Sequence, residues 1–343
     1  MIKHKIHKRL LPHKVRALPI EIQTLPLMTP KLPQKVPTLL IEIQTLPQVT
    51  QALPIMIQAL PLVTPTNPVV FRKYSFLELS FLLYFPFQIL FPYFAPMKIE
   101  IYKSILKSKK EGKKQFALLI DPDKTNKSDL KEVIKISNKA KVDFFFVGGS
   151  LLTNDSMDDC IRQIKSESDI PVVLFPGNIL QINNRADAIL FLSLISGRNA
   201  DMLIGRHVIA APTLKASNLE IIPTGYMLIE SGKPTAVSYM SGTTPIPNDK
   251  DDIAYCTAMA GEMLGLKLIY MDAGSGANEP ISLSMIETVK KNISIPLIIG
   301  GGIHTPEKAL TNCKAGADVI VIGNSIEKNK KLISSIADKI HSF

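Results

Sequence analysis

Beyond residue 97 the chain alternates short, unbroken apolar runs with longer stretches whose apolar positions recur every three or four residues. Eight runs stand out: QFALLID (115–121), DFFFVGG (143–149), PVVLFPG (171–177), AILFLSL (188–194), TGYMLIE (224–230), KLIYMDA (267–273), PLIIGGG (296–302) and DVIVIGN (318–324). A strand with one wet face alternates apolar and polar residues. These runs do not, as expected of strands buried on both faces of a parallel sheet. Helical spacing marks 127–140, 155–167, 249–264, 281–292, 305–315 and 324–340, with a first helix predicted near 99–112. The link 178–187 is too short for a full helix. Strands alternating with helices predict an α/β protein of repeated βα units, closed into a (β/α)8 TIM-like barrel. Such a barrel takes about 250 residues, which suits 97–343.

Residues 1–96 follow another rule. Leu-Pro recurs with a seven-residue period at 11, 18, 25, 32, 46, 53 and 60, and segments 18–26, 39–47 and 53–61 are near copies. Proline at that interval forbids a continuous helix, so the period is not a coiled-coil heptad. A disordered, low-complexity extension is predicted, not a folded domain. Its last part, 74–96, is apolar and long enough for a membrane span, although Glu78, Pro86 and Pro92 weaken it. The basic opening leads into the repeat and not into an apolar core, which argues against a signal peptide. The plainest reading is upstream translated sequence, with Met97 the natural start. The alternative is an amphiphilic, membrane-associated extension.

Composition sharpens this division. Residues 1–96 hold 14 of the 25 prolines and none of the 18 glycines. They carry +7 of the net charge of +10, so the barrel part is only mildly basic and no nucleic-acid partner is predicted. Cys160, Cys256 and Cys313 lack CxxC spacing and fall in helix-like segments, which suits idle or buried thiols in a reducing cytoplasm. His207, His304 and His341 form no ligand pattern, so zinc and Cys–His catalysis find little support.

The chemistry concentrates where the strands end. Three of the last runs finish in glycine: YMDAGSGA (270–277), GGG (300–302) and GN (323–324). Glycines at a strand end leave backbone N–H groups bare and let a ligand come close. Two such ends late in a βα series match the phosphate grip that barrels build after strands 7 and 8. Asn324 would open the final helix, whose N-terminus favours an anion. Asp272 places a carboxylate beside this phosphate-sized space, or else caps a helix. Asp121, in DPDK (121–124), can hold Mg²⁺ together with substrate phosphates, or cap the next helix with Pro122 behind it. Ser150, in GGS (148–150), can supply a hydroxyl ligand or a cap. FPGN (175–178) and SGRN (196–199) end the third and fourth strands, and Arg198 can meet phosphate or a helix partner.

In order and spacing, LLIDPDK, FFFVGGS, FPGN, ISGRN, PTGYMLIESGKPTAV, YMDAGSGA, IIGGGI and VIGNS resemble the geranylgeranylglyceryl phosphate and heptaprenylglyceryl phosphate synthases. The archaeal-type branch with bacterial members is the nearer. The resemblance covers 97–343 and none of 1–96. It implies Mg²⁺ at Asp121 and Ser150. It implies sn-glycerol 1-phosphate contacts at Tyr270, Met271, Asp272, Ala273, Gly274, Ser275, Gly276, Gly301, Gly302, Gly323 and Asn324. Asp272 falls where relatives usually carry a glutamate base; being one methylene shorter, it needs a closer hydroxyl or a bridging water. The implied reaction joins a polyprenyl diphosphate, geranylgeranyl first, to the sn-3 hydroxyl with release of pyrophosphate. A homo-oligomer, dimer or hexamer, and a cytoplasmic enzyme touching membranes peripherally for its lipid product are further implications. Two rivals remain at this stage. A phosphosugar barrel enzyme shares the phosphate loops but wants a second acid or a Schiff-base lysine at a strand end. A non-catalytic membrane adaptor would use residues 1–96 and leave the barrel unexplained.

Overall fold

The computed structural model describes residues 100–343. The seven-residue repeat, the apolar segment 74–96 and the proposed boundary at Met97 lie outside the described residues. Eight parallel strands form a closed barrel in sequence order: β1 (Gln115–Ile120), β2 (Phe144–Val147), β3 (Val172–Leu174), β4 (Ala188–Leu194), β5 (Glu220–Leu228), β6 (Leu268–Asp272), β7 (Leu297–Gly300) and β8 (Val319–Ile322). β8 returns to β1 with Ala117 opposite Val321, which closes the ring.

The unbroken apolar runs now have a cause. Alternate residues of each strand feed two cores. Phe144, Phe146, Val173, Leu190, Tyr226, Tyr270, Ile298 and Val321 point into the barrel. Phe145, Val147, Val172, Met227, Met271, Ile299 and Ile320 point outward against the helices. Both faces are dry, so both are apolar.

Around the sheet run α1 (Ile101–Lys110), α2 (Lys127–Ala140), α3 (Met157–Glu167), α4 (Arg206–Lys215), α5 (Ala236–Ser241), α6 (Asp251–Met263), α7 (Leu283–Asn292), α8 (Pro306–Ala315), α9 (Asn324–Lys328) and α10 (Leu332–His341). Helix α1 precedes the first strand and plugs the bottom of the barrel with Ile101 and Ile105. Its first N–H groups, at Ile101 and Tyr102, donate to Glu220 at 2.6 and 3.0 Å. A carboxylate there satisfies donors that the helix cannot and suits the positive end of its dipole. The short link between β3 and β4 holds only a single tight turn, Ile179–Gln181, as its length predicted.

The departures are local. The predicted helix 324–340 is two, α9 and α10, separated where Asn329 adopts extended backbone. Lys330, in that break, pairs with Asp129 and Glu132 of α2. β5 begins at Glu220, before the predicted 224, and runs through Pro223. The Pro223 carbonyl accepts the Lys267 N–H at 2.8 Å just ahead of β6. The N–H that proline lacks would therefore point toward β6, ahead of the first pair of that ladder, Thr224 with Leu268. Two helices went unpredicted. Helix α4 carries Pro212 inside it and shows Val208 and Ile209 to solvent, so its pattern is not amphipathic. Helix α5 has only six residues and is held by a capping box of Thr235 and Ser238.

Candidate active site

At the C-terminal ends of the strands lies a cavity of about 410 Å³. Its lining is of two kinds. One side is polar and rich in glycine: Asp121 and Ser150 from the loops after β1 and β2, Gly274, Ser275 and Gly276 after β6, Gly301 and Gly302 after β7, and Gly323 and Asn324 after β8. The other side is apolar: Leu190, Phe191, Leu192 and Leu194 of β4, with Ile182, Met202, Ala210, Leu214 and Val237. Tyr270 and Asp272 reach the same cavity from β6. Met271 and Ala273 do not: they are the outward residues of that strand and pack in the helix-facing core. Their numbers fall within the motif, but the two-residue period of a strand turns them away.

The glycine loops are pressed together. Gly301 has φ of +80°, and a Cβ there would come within 2.8 Å of the Gly274 N. Gly302, at φ of +69°, would meet the backbone of Pro280 at 2.7 Å. These glycines therefore serve loop packing as well as any ligand. Ser275 Oγ donates to Asn324 Oδ1 at 2.9 Å and ties the β6 loop to the start of α9. His304 lines the same end, with its Nδ1 2.6 Å from Ser325 Oγ. Because Ser325 Oγ also donates to the Ile303 carbonyl at 3.1 Å, it must accept from His304, which assigns the proton to Nδ1.

Asp272 ends β6 and is 8% exposed. Its Oδ1 accepts the Gly274 N–H at 2.7 Å and its Oδ2 accepts the Tyr226 hydroxyl at 2.6 Å. Burial raises its pKa above the ordinary aspartate value, and these two hydrogen bonds only partly oppose that. A carboxylate so placed is a stronger base than one in water. Around it the rings of Phe175, Tyr226 and Tyr270 pack, Phe175 stacked on Tyr270 at 5.1 Å and Tyr226 edge-on to Tyr270 at 5.5 Å.

Asp121 is not a helix cap. That position before α2 belongs to Asn126, whose side chain accepts from Asp129 N. Asp121 instead faces the cavity, with Oδ1 taking the Asp123 N–H at 3.1 Å and Oδ2 2.7 Å from Lys124 Nζ. Ser150 does not cap α3, which starts at Met157. Among the described residues, no group of three or more His, Cys, Asp or Glu is placed to hold a metal ion. One carboxylate beside a hydroxyl fits Mg²⁺ only if substrate phosphates complete the shell, which is the usual habit of that ion. The resident Lys124 would then pass to the phosphates.

A family model described as the PcrB family matches residues 108–340. A geranylgeranylglyceryl phosphate synthase of Chitinophaga pinensis is 56% identical over 246 residues, covering 72% of this chain and 98% of that protein. One of Methanosphaera stadtmanae is 40% identical over 248 residues, covering 71% of this chain and 100% of that protein. The chain belongs to the PcrB family. It is an enzyme of the geranylgeranylglyceryl phosphate synthase type, a prenyltransferase. A crystal structure of (S)-3-O-geranylgeranylglyceryl phosphate synthase from Thermoplasma acidophilum in complex with sn-glycerol-1-phosphate superposes with a TM-score of 0.67. It is 32% identical, and the match covers 72% of this chain and all of that one.

Within this PcrB-family barrel, several residues of the site escaped the sequence reading. Gln181 is almost wholly buried in the tight turn before β4. Its Oε1 accepts from Gly177 N at 3.1 Å and Gly149 N at 3.3 Å, and its Nε2 donates to the Gly149 carbonyl at 2.8 Å. One amide thus braces the loops after β2 and β3, but nothing in the sequence says that this glutamine turns inward. Tyr226 and Phe175 also escaped, hidden as apolar members of strand runs, and so did His207, which lies in the unpredicted helix α4. His207 lines the apolar side, with Nε2 3.3 Å from Ser193 Oγ, and burial lowers its pKa. The one available signal was the aromatic residue in TGYML, at an inward register position of β5.

Proposed function

We propose that this enzyme joins sn-glycerol 1-phosphate to a polyprenyl diphosphate, geranylgeranyl diphosphate first, through the sn-3 hydroxyl, releasing pyrophosphate. The carrying observation is the two-sided cavity: glycine loops at one end, an apolar arm at the other, and a buried carboxylate facing the same space. The glycine loops after β6, β7 and β8 hold the phosphate of the acceptor. The arm along β4 and α4 takes the prenyl tail, whose burial is worth roughly 0.8 kcal/mol per CH₂. A phosphosugar has nothing to place in that arm. Asp121 and Ser150 would hold Mg²⁺ with the diphosphate oxygens, and Lys124 stands ready beside them. When bound, that ion neutralises charge developing on the leaving group. Asp272 receives the proton lost by the attacking hydroxyl.

No helix among the described residues is long and apolar enough to cross a membrane. A lipid product still calls for release at a membrane surface. Helix α4 lines the arm with one face and exposes Val208 and Ile209 on the other, a suitable peripheral contact. The same exposed face suits self-association into the dimer or hexamer expected from the resemblance.

The test is incubation with labelled sn-glycerol 1-phosphate and C15, C20 and C35 diphosphates, with and without Mg²⁺. Metal-dependent transfer with a preferred chain length is expected. Tight binding of another phosphate compound, with no transfer at any chain length, would overturn the reading.

A further inference from the structure

We propose that Tyr226 takes the proton directly from the attacking hydroxyl while handing its own to Asp272. The inference rests on the reaction proposed above and assigns its proton path.

Both carboxylate oxygens of Asp272 already accept a hydrogen bond, one from Gly274 N and one from Tyr226 Oη. Among the described residues no cation touches it: both donors are neutral. Tyr226 is different. Its single O–H is committed to Asp272, which leaves the lone pairs of its oxygen as the acceptor able to meet an incoming hydroxyl. Tyr226 lines the cavity and is 5% exposed, as enclosed as its partner.

Its place in the barrel matters more. Tyr226 lies on β5, opposite Leu194 of β4 on one side and Tyr270 of β6 on the other. β4 supplies the apolar arm, and the loop after β6 supplies part of the phosphate cradle. The phenol therefore stands where the two halves of the cavity meet. That is where C1 of a prenyl chain and the hydroxyl of a held glycerol phosphate must approach each other. Phe175 and Tyr270 pack edge-on against its ring, at 5.9 and 5.5 Å, and hold that position.

The step balances. The acceptor O–H bond breaks and a new O–H bond forms on Tyr226 Oη. The former Tyr226 O–H bond breaks and its proton joins Asp272 Oδ2. The electron pair freed on the acceptor oxygen makes the C–O bond to C1. The C1–O bond to the diphosphate breaks, and its pair leaves with pyrophosphate. Burial and the neighbouring Asp272 make a free phenolate costly at this site, so the two protons move together.

Two variants test the relay. Tyr226→Phe removes the oxygen and keeps the ring. It should lower kcat by about 100-fold or more. Its affinity for sn-glycerol 1-phosphate, measured calorimetrically, should stay within about threefold of the parent enzyme. In Tyr226→Phe/Asp272→Glu the longer acid reaches into the space left by the phenol oxygen and should recover about tenfold of kcat over the single variant. A Tyr226→Phe kcat within about tenfold of the parent would overturn the relay. So would an equal loss of kcat and affinity, or a double variant no faster than the single one. An unmutated enzyme that transfers no prenyl group would instead sink the reaction on which the relay rests, so the two failures are told apart.

Discussion

At the N-terminal end of the barrel Asp143, Asp187 and Asp318 each face a backbone N–H and a basic side chain, whereas at the C-terminal end Asp272 faces two neutral donors. The bottom acids share one device. Each lies just ahead of its strand and reaches across to the neighbouring one: Asp143 to Phe116 N, Asp187 to Val172 N and Asp318 to Leu297 N, each at 2.8 Å. The return bonds, from their own N–H groups to the carbonyls of the same three residues, complete each clasp. Lys165 and Lys290 then balance the charges, and His341 does so when protonated. These acids are spent on holding strand starts together. Asp272 has no such counter-charge, so taking up a proton relieves it and does not break an ion pair. Asp121, at the same rim as Asp272, also meets a lysine, so the contrast rests on Asp272 with its neutral partners: on the proposed reading it serves chemistry, and the three bottom acids serve stability.

The comparison breaks most sharply at Asp272. Asp272→Asn should lower kcat about 1,000-fold while sn-glycerol 1-phosphate binds nearly as before, because a proton acceptor is lost and no phosphate donor. In the parent enzyme only the ionised carboxylate accepts, so kcat should climb as pH rises through a value above the ordinary 3.8 of aspartate. The Asn variant should lack that limb. A variant as fast as the parent would return Asp272 to the structural class.

Asp318→Ala tests the other rim. It leaves Lys290 and the Leu297 N–H without their buried partner and should cost about 3 kcal/mol in denaturant unfolding. Activity per folded molecule should not change. A slow but stable variant would contradict the division between the rims.

A smaller effect separates ligand from packing among the glycines. Glycine-to-valine changes at Gly301 and Gly323 look equivalent in the sequence, but they are not equivalent in the fold. At Gly301 any side chain strains the backbone at φ of +80° and strikes Gly274, so fold and site fail together. Gly323 has a negative φ, and a Cβ there meets Leu119 at 3.3 Å. Gly323→Ala must shift the Leu119 carbonyl slightly, so it should lower the melting temperature far less than Gly301→Val while weakening sn-glycerol 1-phosphate about tenfold, or about 1.4 kcal/mol. Unchanged affinity would remove this loop from the phosphate cradle.

The smallest effect belongs to His341. Its hydrogen bond to Asp143 raises its pKa above 6.5, against the lowering effect of burial. The stabilisation is complete below pH 6.5 and is lost as pH rises through the higher folded value. The pair is partly exposed, so about 0.5 kcal/mol is expected. His341→Asn should flatten that slope in melts taken from pH 6 to 9, without touching kcat.

Much of this was legible in the chain. The barrel followed from doubly buried strands, and the glycine-rich end of the cavity from glycines after the last three. Boundaries failed where local pattern carries little information: in the six residues of α5, in α4 with its proline and outward apolar face, and at Asn329, where one predicted helix divides. Two of the candidate site residues turn away from the cavity for a different reason. Met271 and Ala273 sit in the same motif as Asp272, but strand alternation turns them to the helices.

By itself the sequence determined the order of βα units, because burial on both faces demands apolar runs and short loops demand glycine. It also determined which carboxylates stand at strand ends. Only the tertiary structure decided which partners each carboxylate meets. Asp143, Asp187 and Asp318 meet basic side chains brought from other helices, and Asp272 meets a tyrosine 46 residues away. Such partners come together through barrel closure, a long-range event that no local pattern records. The charge state of a buried acid depends on just those partners and on the water they exclude.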